Sequence, residues 1–468
     1  MRMEKKIDHN PLGSEKVSKL ILKFAIPSIV AMLVGAVYNI VDQLFIGQAV
    51  GTLGNAATNI AFPLTTSCVA LALVFGIGGA SSFNIAMGEK KEEIAAHYIG
   101  NSITMLIGSG ILLSIVTQLF LKQMLIFFGS PTEVLDYAMT YVRITAIGFP
   151  FLILTSGGGH LIRADGSPKM TMICSISGAV INTILDAIFV LGFDMGMFGA
   201  ALATIIGQIF SGILVIIYLF QYKTVKLTWG HLLIKFKYIN RIVSLGMASF
   251  FNQIAMMVVQ IVMNKSLTYY GRMSEYGEST PLAVAGIVAK VGMIFFAIVI
   301  GIAQGTQPIE SYNYGAKNYK RVKEAYRLAI ISGAIVSVFA FAIFQIFPRQ
   351  IISMFGEGSE SYYQFGISYF RNFLFFTWLN FMQPITATFF TSIGKAYKGI
   401  FLSLTRQIIF LLPLIVVLPL FLKIDGILYA GPISDIFAAL TAILMMKKEF
   451  RLLQEASTQV ELEPEYEK

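Results

Sequence analysis

Acidic side chains occur inside apolar segments of this 468-residue sequence, where a charge is costly. Asp42 lies in the run YNIVDQLFIG at 38–47, and Asp186 lies in VINTILDAIFVLGF at 180–193. A carboxylate at bilayer depth costs about 2.5 to 3.5 kcal/mol, so such residues usually belong to ion or proton pathways. Asp435 and, nearer a helix end, Glu310 have similar surroundings. The sequence leaves open their roles and that of Lys290.

Both aspartates fall on polar faces of predicted helices, because the polar residues recur at helical spacing. The face on the first helix consists of Gly35, Tyr38, Asn39 and Asp42. The face on the fifth helix consists of Ser175, Gly178, Asn182 and Asp186. Both helices run outward and carry their acid in the outer half, so the acids could share one pocket. In a pocket of low polarity such acids can exchange a cation near working pH. The alternative is that Asp42 only joins helices through backbone or hydroxyl contacts.

The elements that hold these residues are predicted to be transmembrane helices. Hydrophobic residues make up 56% of the chain and charged residues only 13%, far from the roughly 25% charge of a soluble domain. Twelve apolar runs are long enough to cross a bilayer. They cover approximately 20–47, 55–87, 94–121, 134–160, 169–193, 197–221, 243–269, 281–312, 326–347, 362–392, 399–421 and 426–446. The short alternating strands of an outer-membrane barrel do not occur.

The charge distribution predicts the orientation of the chain. The net charge is +9, and most Lys and Arg fall in the tails and loops on the side of the N-terminus. By the positive-inside rule both termini are cytoplasmic, in a multi-pass protein of the cytoplasmic membrane. The basic balance thus reflects orientation in the lipid bilayer and not binding of nucleic acid.

Internal repeats divide the chain into two halves. FGSPTEVLDYAMTYVR at 128–143 matches FGEGSESYYQFGISYFR at 355–371, and three further pairs of segments recur at the same separation. This predicts an all-α polytopic membrane protein with two six-helix bundles related by a pseudo-two-fold axis along the membrane normal. The predicted units are a cytoplasmic N-terminal segment 1–19, a bundle 20–221, an interfacial linker 222–242, a bundle 243–450 and an acidic cytoplasmic tail 451–468, which looks disordered over 455–468.

Amide side chains dominate the polar positions of the second half, which has no acid on its seventh or tenth helix. They could line a substrate path or equally hydrogen bond between helices. The candidates for substrate contact, together with Asn39 of the first helix, are Gln253, Gln260, Gln304, Gln307, Asn380 and Gln383.

Enzymatic and metal chemistry have no motif here. Cys68 and Cys174 lie in apolar segments, and the four histidines lack metal-ligand spacing. A nucleotide-binding GxxxxGK[ST] loop does not occur, which disfavours a pump driven by ATP. We therefore expect no enzyme activity, no cofactor, and no metal site beyond a sodium ion at the buried acids.

The chain resembles the multidrug and toxic compound extrusion (MATE) family of secondary transporters over about 15–450. The resemblance rests on the proline followed by YNIVDQLFIG, on VINTILDAIFVLGFDMGMFGAALAT at 180–204, on QGTQPIESYNYGAKNYKRV at 304–322, and on the two halves. The last motif is most similar to the MepA-like branch. The family implies a cation site at Tyr38, Asp42, Asn182, Asp186 and Thr204, with Pro27 as a hinge. Another branch has acids in the second half, and this sequence has none at those positions.

Together these features predict an antiporter that works by alternating access. The resemblance implies export of lipophilic, often cationic compounds, driven by inward flow of H⁺ or Na⁺. We expect a monomer with small-molecule substrates. A flippase for a lipid-linked precursor on the same fold is the alternative, although it would favour a more cationic cavity. A passive channel is not excluded by the sequence.

Overall fold

The structure, a computed structural model, describes residues 10–277, 279–355 and 358–462. Over these ranges the chain is helical and contains no strand. The α-helices are α1 Pro11–Ser14, α2 Val17–Val50, α3 Thr52–Gly88, α4 Glu92–Phe127, α5 Thr132–Thr145, α6 Phe149–Ala164, α7 Pro168–Asp186, α8 Gly196–Phe220, α9 Trp229–Leu232, α10 Phe236–Arg272, α11 Ser279–Gly315, α12 Tyr319–Ile346, α13 Pro348–Ser353, α14 Glu360–Phe373, α15 Met382–Ser392, α16 Ala396–Leu404 and α17 Leu412–Leu462. Wider π-helical turns follow α7 at Ala187–Gly192 and α16 at Thr405–Leu411.

The twelve-helix prediction is confirmed, although several spans are broken. Within the described ranges, ten helical stretches are long and apolar enough to cross a membrane. The last stretch, Ala396–Gln459, holds two spans, because the backbone turns at Lys423 with φ 52°. One further span is divided between α14 and α15, with a short 3₁₀ turn at Thr377–Leu379 between them. The chain is therefore a multi-pass membrane protein.

The two halves repeat each other in backbone detail. Non-glycine residues rarely adopt positive φ, yet such residues recur at matching places after corresponding helices. The matching pairs are Lys90 (φ 61°) with Lys317 (φ 56°), Asp194 (φ 52°) with Lys423 (φ 52°), and the glycines Gly166 (φ 81°) with Gly394 (φ 77°). Each half also contains one π-helical turn, at the end of the span formed by α7 and inside the span that joins α16 to α17. The structure thus contains two copies of one six-helix design.

Each half has its own apolar core. One cluster of buried residues runs from Ile46 to Ile242, and a second runs from Val259 to Leu453. A small third cluster joins the start of α2 to the second half through Phe24, Ala25 and Ile309. The helix that carries Asp42 therefore packs on both halves, since its first part contacts α11 and its later part contacts α7.

The halves touch closely at the end of the molecule where α2 begins. Glycines allow backbone contact there: a Cβ on Gly305 would lie 2.5 Å from the Cα of Ala25, and one on Gly246 would lie 2.0 Å from the Val74 carbonyl oxygen. A Cβ on Gly315 would lie 2.1 Å from the carbonyl oxygen of Ile85. Only glycine permits such approach, so this end of the cleft is closed by tight helix packing.

Two boundaries differ from the sequence prediction. The linker predicted at 222–242 becomes helical at Phe236, where α10 begins, and it includes the short helix α9. The tail predicted to be disordered is helical as far as Leu462, and residues 463–468 lie outside the described ranges. Both helices extend beyond the apolar run, which marks only the part of a helix that crosses the hydrocarbon.

Candidate functional site

Asp42 faces the interior of the first half. It is only 8% exposed, and its Oδ1 is buried without a hydrogen-bond partner. Tyr38, one turn earlier, is half-buried on the same face of α2, whereas Asn39 is exposed. The polar face predicted from helical spacing therefore brings Tyr38 and Asp42 against α7, the helix with which α2 packs in this region.

Close packing of α7 on α8 fixes the opposite wall of the pocket. A Cβ on Gly207 would lie 2.7 Å from the carbonyl oxygen of Gly178, so the two helices cross at a glycine pair. One turn farther along α7, the amide nitrogen of Asn182 donates to Thr204 Oγ1 at 3.3 Å. Both side chains are buried, and the Asn182 Oδ1 is left without a partner. The crossing of α7 and α8 thus leaves the side-chain carbonyl oxygen of Asn182 without a hydrogen-bond partner in the pocket.

Asp186 completes the acidic pair. It is the last residue of α7, directly before the π-helical turn, and is fully buried. Turns of this type widen the helix and are frequent at functional sites. Both carboxylate oxygens of Asp186 lack a hydrogen-bond partner, and the side chain lies within electrostatic range of Asp42. The structure therefore brings the two predicted acids into one pocket, and backbone contacts hold neither of them.

Two tyrosines flank the acids. Tyr38 lies within range of Asp42, Asp186 and the Thr204 hydroxyl. Tyr141 of α5 approaches the same three side chains, which the sequence analysis did not foresee. Tyr141 belongs to the segment 128–143, which is repeated at 355–371 in the second half. The repeat by itself does not indicate that Tyr141 lies at the pocket. The pocket thus draws on α2, α5, α7 and α8.

The pocket is rich in hydrogen-bond acceptors. Its unpartnered buried atoms are all oxygens, from Asp42, Asn182 and Asp186. No ion pair joins either aspartate to a Lys or Arg in the part of the chain that the structure describes. Buried acceptors without donors are costly. A bound proton would provide the missing donor, and Na⁺, a hard cation, would suit carboxylate and carbonyl ligands.

Comparison with known sequences identifies the family. A sequence model described as MatE matches residues 27–188 and 248–417, which include α2, α7 and the corresponding parts of the second half. The chain belongs to the MatE family. Its two matched segments correspond to the two structural repeats.

Individual MatE relatives match over most of the chain. The multidrug export protein MepA of Staphylococcus haemolyticus is 26% identical over 74% of this chain and 75% of its own length. MepA of Staphylococcus saprophyticus is 24% identical over 92% of this chain and 93% of its own length. A solved structure of an outward-facing multidrug resistance MATE family transporter superposes with a TM-score of 0.89 at 22% identity, covering 97% of this chain and 100% of the other. The fold is therefore that of a MATE transporter.

The predicted substrate contacts divide into two groups in this MatE fold. Gln253 and Gln260 lie about two and four turns beyond Gly246 on the side of α10 that packs on α3, so they face the first half. Gln253 is half-buried, whereas Gln260 is exposed and donates to Asn264 at 2.9 Å.

The other four amides are buried and engaged. Gln304 accepts a hydrogen bond from Arg163 at 3.0 Å, and Gln307 donates to Ser81 at 2.8 Å, both across the closed contact between the halves. Gln383 donates to the Leu402 carbonyl at 2.8 Å, and Asn380 lies beside Asp435. In this conformation, these amides serve as interhelical contacts.

Asp435 also has a partner in the second half. Its Oδ1 accepts from Arg406 Nε at 2.7 Å, and both side chains are largely buried. Arg406 lies in the π-helical turn between α16 and α17, and the sequence analysis did not single it out. Arg406 is a charged residue inside the apolar run 399–421, and this is the sequence feature that indicates a buried partner for it.

Pro27 lies in the first part of α2, where the helix packs on the second half. It is buried, and α2 continues through it as one helix to Val50. Ser28 bonds back to the Phe24 carbonyl at 2.8 Å in the same turn. Proline removes an intrahelical bond and permits a bend, so the position is compatible with the predicted hinge.

Proposed function

We propose that this protein is a cation-coupled antiporter that exports lipophilic, often cationic compounds across the cytoplasmic membrane. A proton or a sodium ion from outside occupies the pocket of Asp42 and Asp186, and bound drug is released outward. One observation carries the proposal: two buried carboxylates lie together with unpartnered oxygens and without a counter-charge. The names of the MepA relatives, which are multidrug export proteins, support the choice of substrates.

The position of α2 connects the ion site to the cleft. Its first part packs on α11 of the second half, and its later part carries Asp42 against α7. A change of charge at Asp42 alters the packing of that later part, and Pro27 lets it move separately from the part held by α11. With both termini in the cytoplasm, the closed end is cytoplasmic, and the cleft opens to the outside.

The driving force is sufficient for drug export. For a neutral compound, one coupled charge that moves inward across 100 mV is worth about 2.3 kcal/mol, which sustains a concentration ratio of roughly fiftyfold. For a monovalent cation exchanged one for one, no net charge moves, and the concentration gradient of the coupling ion is the driving force, worth about 1.4 kcal/mol for each tenfold ratio. Export then requires that ion binding and drug binding favour different conformations. One of them stabilises the state that is open to the outside, and the other stabilises the state that is open to the cytoplasm.

Dye efflux from membrane vesicles tests the proposal. Parent vesicles should expel a lipophilic cationic dye when a pH or sodium gradient is imposed, and Asp42→Asn should not respond to either gradient. Asp194→Asn is a matched control, because Asp194 is exposed and its left-handed backbone suits asparagine. Gradient-dependent efflux by Asp42→Asn at the parent rate would refute the coupling role. Equal efflux without any gradient would instead indicate a channel.

A further inference from the structure

Lys290 is a cation within the membrane span α11, and no acid of the described ranges pairs with it. Its side chain is half-buried, and within the described residues it forms neither an ion pair nor a hydrogen bond with another side chain. Charged residues at such depth normally pair with one another or face a water-filled cavity. Lys290 therefore needs either a polar cavity or an anion from outside the chain.

The side of α11 on which Lys290 lies follows from the helix contacts. Gly301 and Gly305 pack directly on Ile29 and Ala25 of α2. Lys290 precedes Gly301 by 11 residues, which is close to three full turns, so it projects from the same side of the helix. Lys290 thus faces the first half of the molecule across the cleft.

The depth of Lys290 follows from the same contacts. α2 and α11 are antiparallel, since residue 301 lies against 29 and 305 lies against 25. Equal rise along both helices places Lys290 at the level of residue 40. Asn39 and Asp42 are within one turn of that level. Lys290 and the acidic pocket, which is buried inside the first half, therefore lie at about the same depth.

The helices have already separated at this depth. Gly301 and Gly305 are buried, whereas Ile294, two turns before Gly301 on the same side, is 37% exposed. One turn before Lys290, a Cβ on Gly286 would have no atom within 4 Å. Lys290 consequently borders open space, with the first half of the molecule on the other side of it.

We propose that Lys290 binds an anionic group of the transported compound. The substrate class is then an amphiphile that carries a carboxylate as well as a cationic centre, with the carboxylate on Lys290 and the cationic part toward the first half. This inference rests on the proposed export function and refines it. A lysine in a partly desolvated site binds a carboxylate through charge-assisted hydrogen bonds, which are stronger than neutral ones.

Equilibrium dye binding tests the role of Lys290 without any ion gradient. The probes are a rhodamine with a free carboxylate and its methyl ester, and fluorescence anisotropy reports their binding to the purified full-length protein in detergent. The parent should bind the carboxylate dye more tightly than the ester. Lys290→Gln should weaken binding of the carboxylate dye by roughly tenfold, the loss expected for one charged hydrogen bond, and leave the ester unchanged. Lys290→Arg keeps the charge and should retain the preference.

The outcomes separate this inference from the proposed function. Equal affinity of the parent for both dyes, or an equal effect of Lys290→Gln on both, would overturn the role of Lys290. The second result would indicate that Lys290 acts on the acids opposite it. Efflux from vesicles, measured with the same dyes, tests coupling separately: selective binding without gradient-driven efflux would uphold the Lys290 site and refute the antiporter.

Discussion

Buried acids occur in both halves of the molecule, but their surroundings differ. In the first half, Asp42 and Asp186 lie together with unpartnered oxygens and without a cation. In the second half, Asp435 bonds to the Arg406 guanidinium at 2.7 Å, beside Asn380. Each site lies next to a π-helical turn, although the two turns fall at different places in their halves. The repeated fold thus holds one site whose charge is balanced within the chain and one whose charge is not.

The difference assigns distinct roles to the two sites. An acid that is paired with a guanidinium has its counter-charge permanently in place, so it fixes helices and has no need of an ion. An uncompensated pair of carboxylates gains stability only when a cation arrives. The comparison therefore predicts that substitution of Asp435 affects folding, whereas substitution of Asp42 or Asp186 affects coupling.

The largest effect is expected for Asp435→Asn. It leaves Arg406 as a buried charge without its acid, which typically destabilises a protein by about 3 to 5 kcal/mol. The thermal midpoint in detergent should fall strongly, and the protein that remains folded should keep its gradient dependence in vesicles. A normal midpoint with lost coupling would reverse the roles assigned to the two halves.

A double variant controls for this prediction. Replacing both members of the pair, Arg406→Met with Asp435→Leu, removes the two charges together and keeps similar volumes. Such replacements are often neutral or stabilising. The midpoint should therefore return close to that of the parent. If it stays as low as in the single variant, packing and not the unpaired charge is the cause.

The opposite behaviour is expected for Asp186→Asn. Because its carboxylate has no partner to lose, the thermal midpoint should be unchanged or higher. The dye gradient that the vesicles sustain under an imposed pH or sodium gradient should disappear. A strongly lowered midpoint would show that Asp186 is structural, as Asp435 is proposed to be.

Sequence periodicity was sufficient for those parts of the site that are local to one helix. The spacing of Tyr38 and Asp42, and of Asn182 and Asp186, predicts the faces on which these side chains lie, and α2 packs against α7 in the structure. Tyr141 could not be found in this way, because its contact with the pocket joins helices distant in sequence. Its position depends on tertiary packing, which no single-helix pattern describes.

The fold was predictable to a similar degree. Apolar runs identified the spans, and the repeats identified the halves, because both are properties of the local sequence. The hydrogen bonds of Gln304 and Gln307 to the first half were not predictable, since they depend on which end of the cleft is closed. Likewise, the sequence shows Asp435 as an acid in an apolar segment, but its partner Arg406 lies 29 residues earlier, on the neighbouring span.

A smaller effect is expected for Gly207→Ala, which tests the wall of the first site. The added Cβ would lie 2.7 Å from the Gly178 carbonyl oxygen and 3.0 Å from the Asn182 Cβ. Overpacking of this kind typically costs about 1 to 3 kcal/mol. It should lower the thermal midpoint and weaken coupling together, because Asn182 is displaced from Thr204. Gly108→Ala on α4, where no atom lies within 4 Å, is the matched control and should be neutral or slightly stabilising.

The smallest effect is expected for Tyr141→Phe, which removes only a hydroxyl from the edge of the acidic pocket. That hydroxyl lies within electrostatic range of Thr204 and of both aspartates, so its dipole acts on the charged carboxylates although it does not hydrogen bond to them in this structure. We expect its loss to cost no more than one hydrogen bond, about 1 kcal/mol. We therefore expect the ion concentration for half-maximal efflux to change severalfold while the maximal rate and the thermal midpoint stay the same. Tyr137→Phe, on the same helix and exposed, should change none of these. A loss of maximal rate in Tyr141→Phe would instead place this hydroxyl on the path of the ion itself, and the pocket would then require three essential groups instead of two.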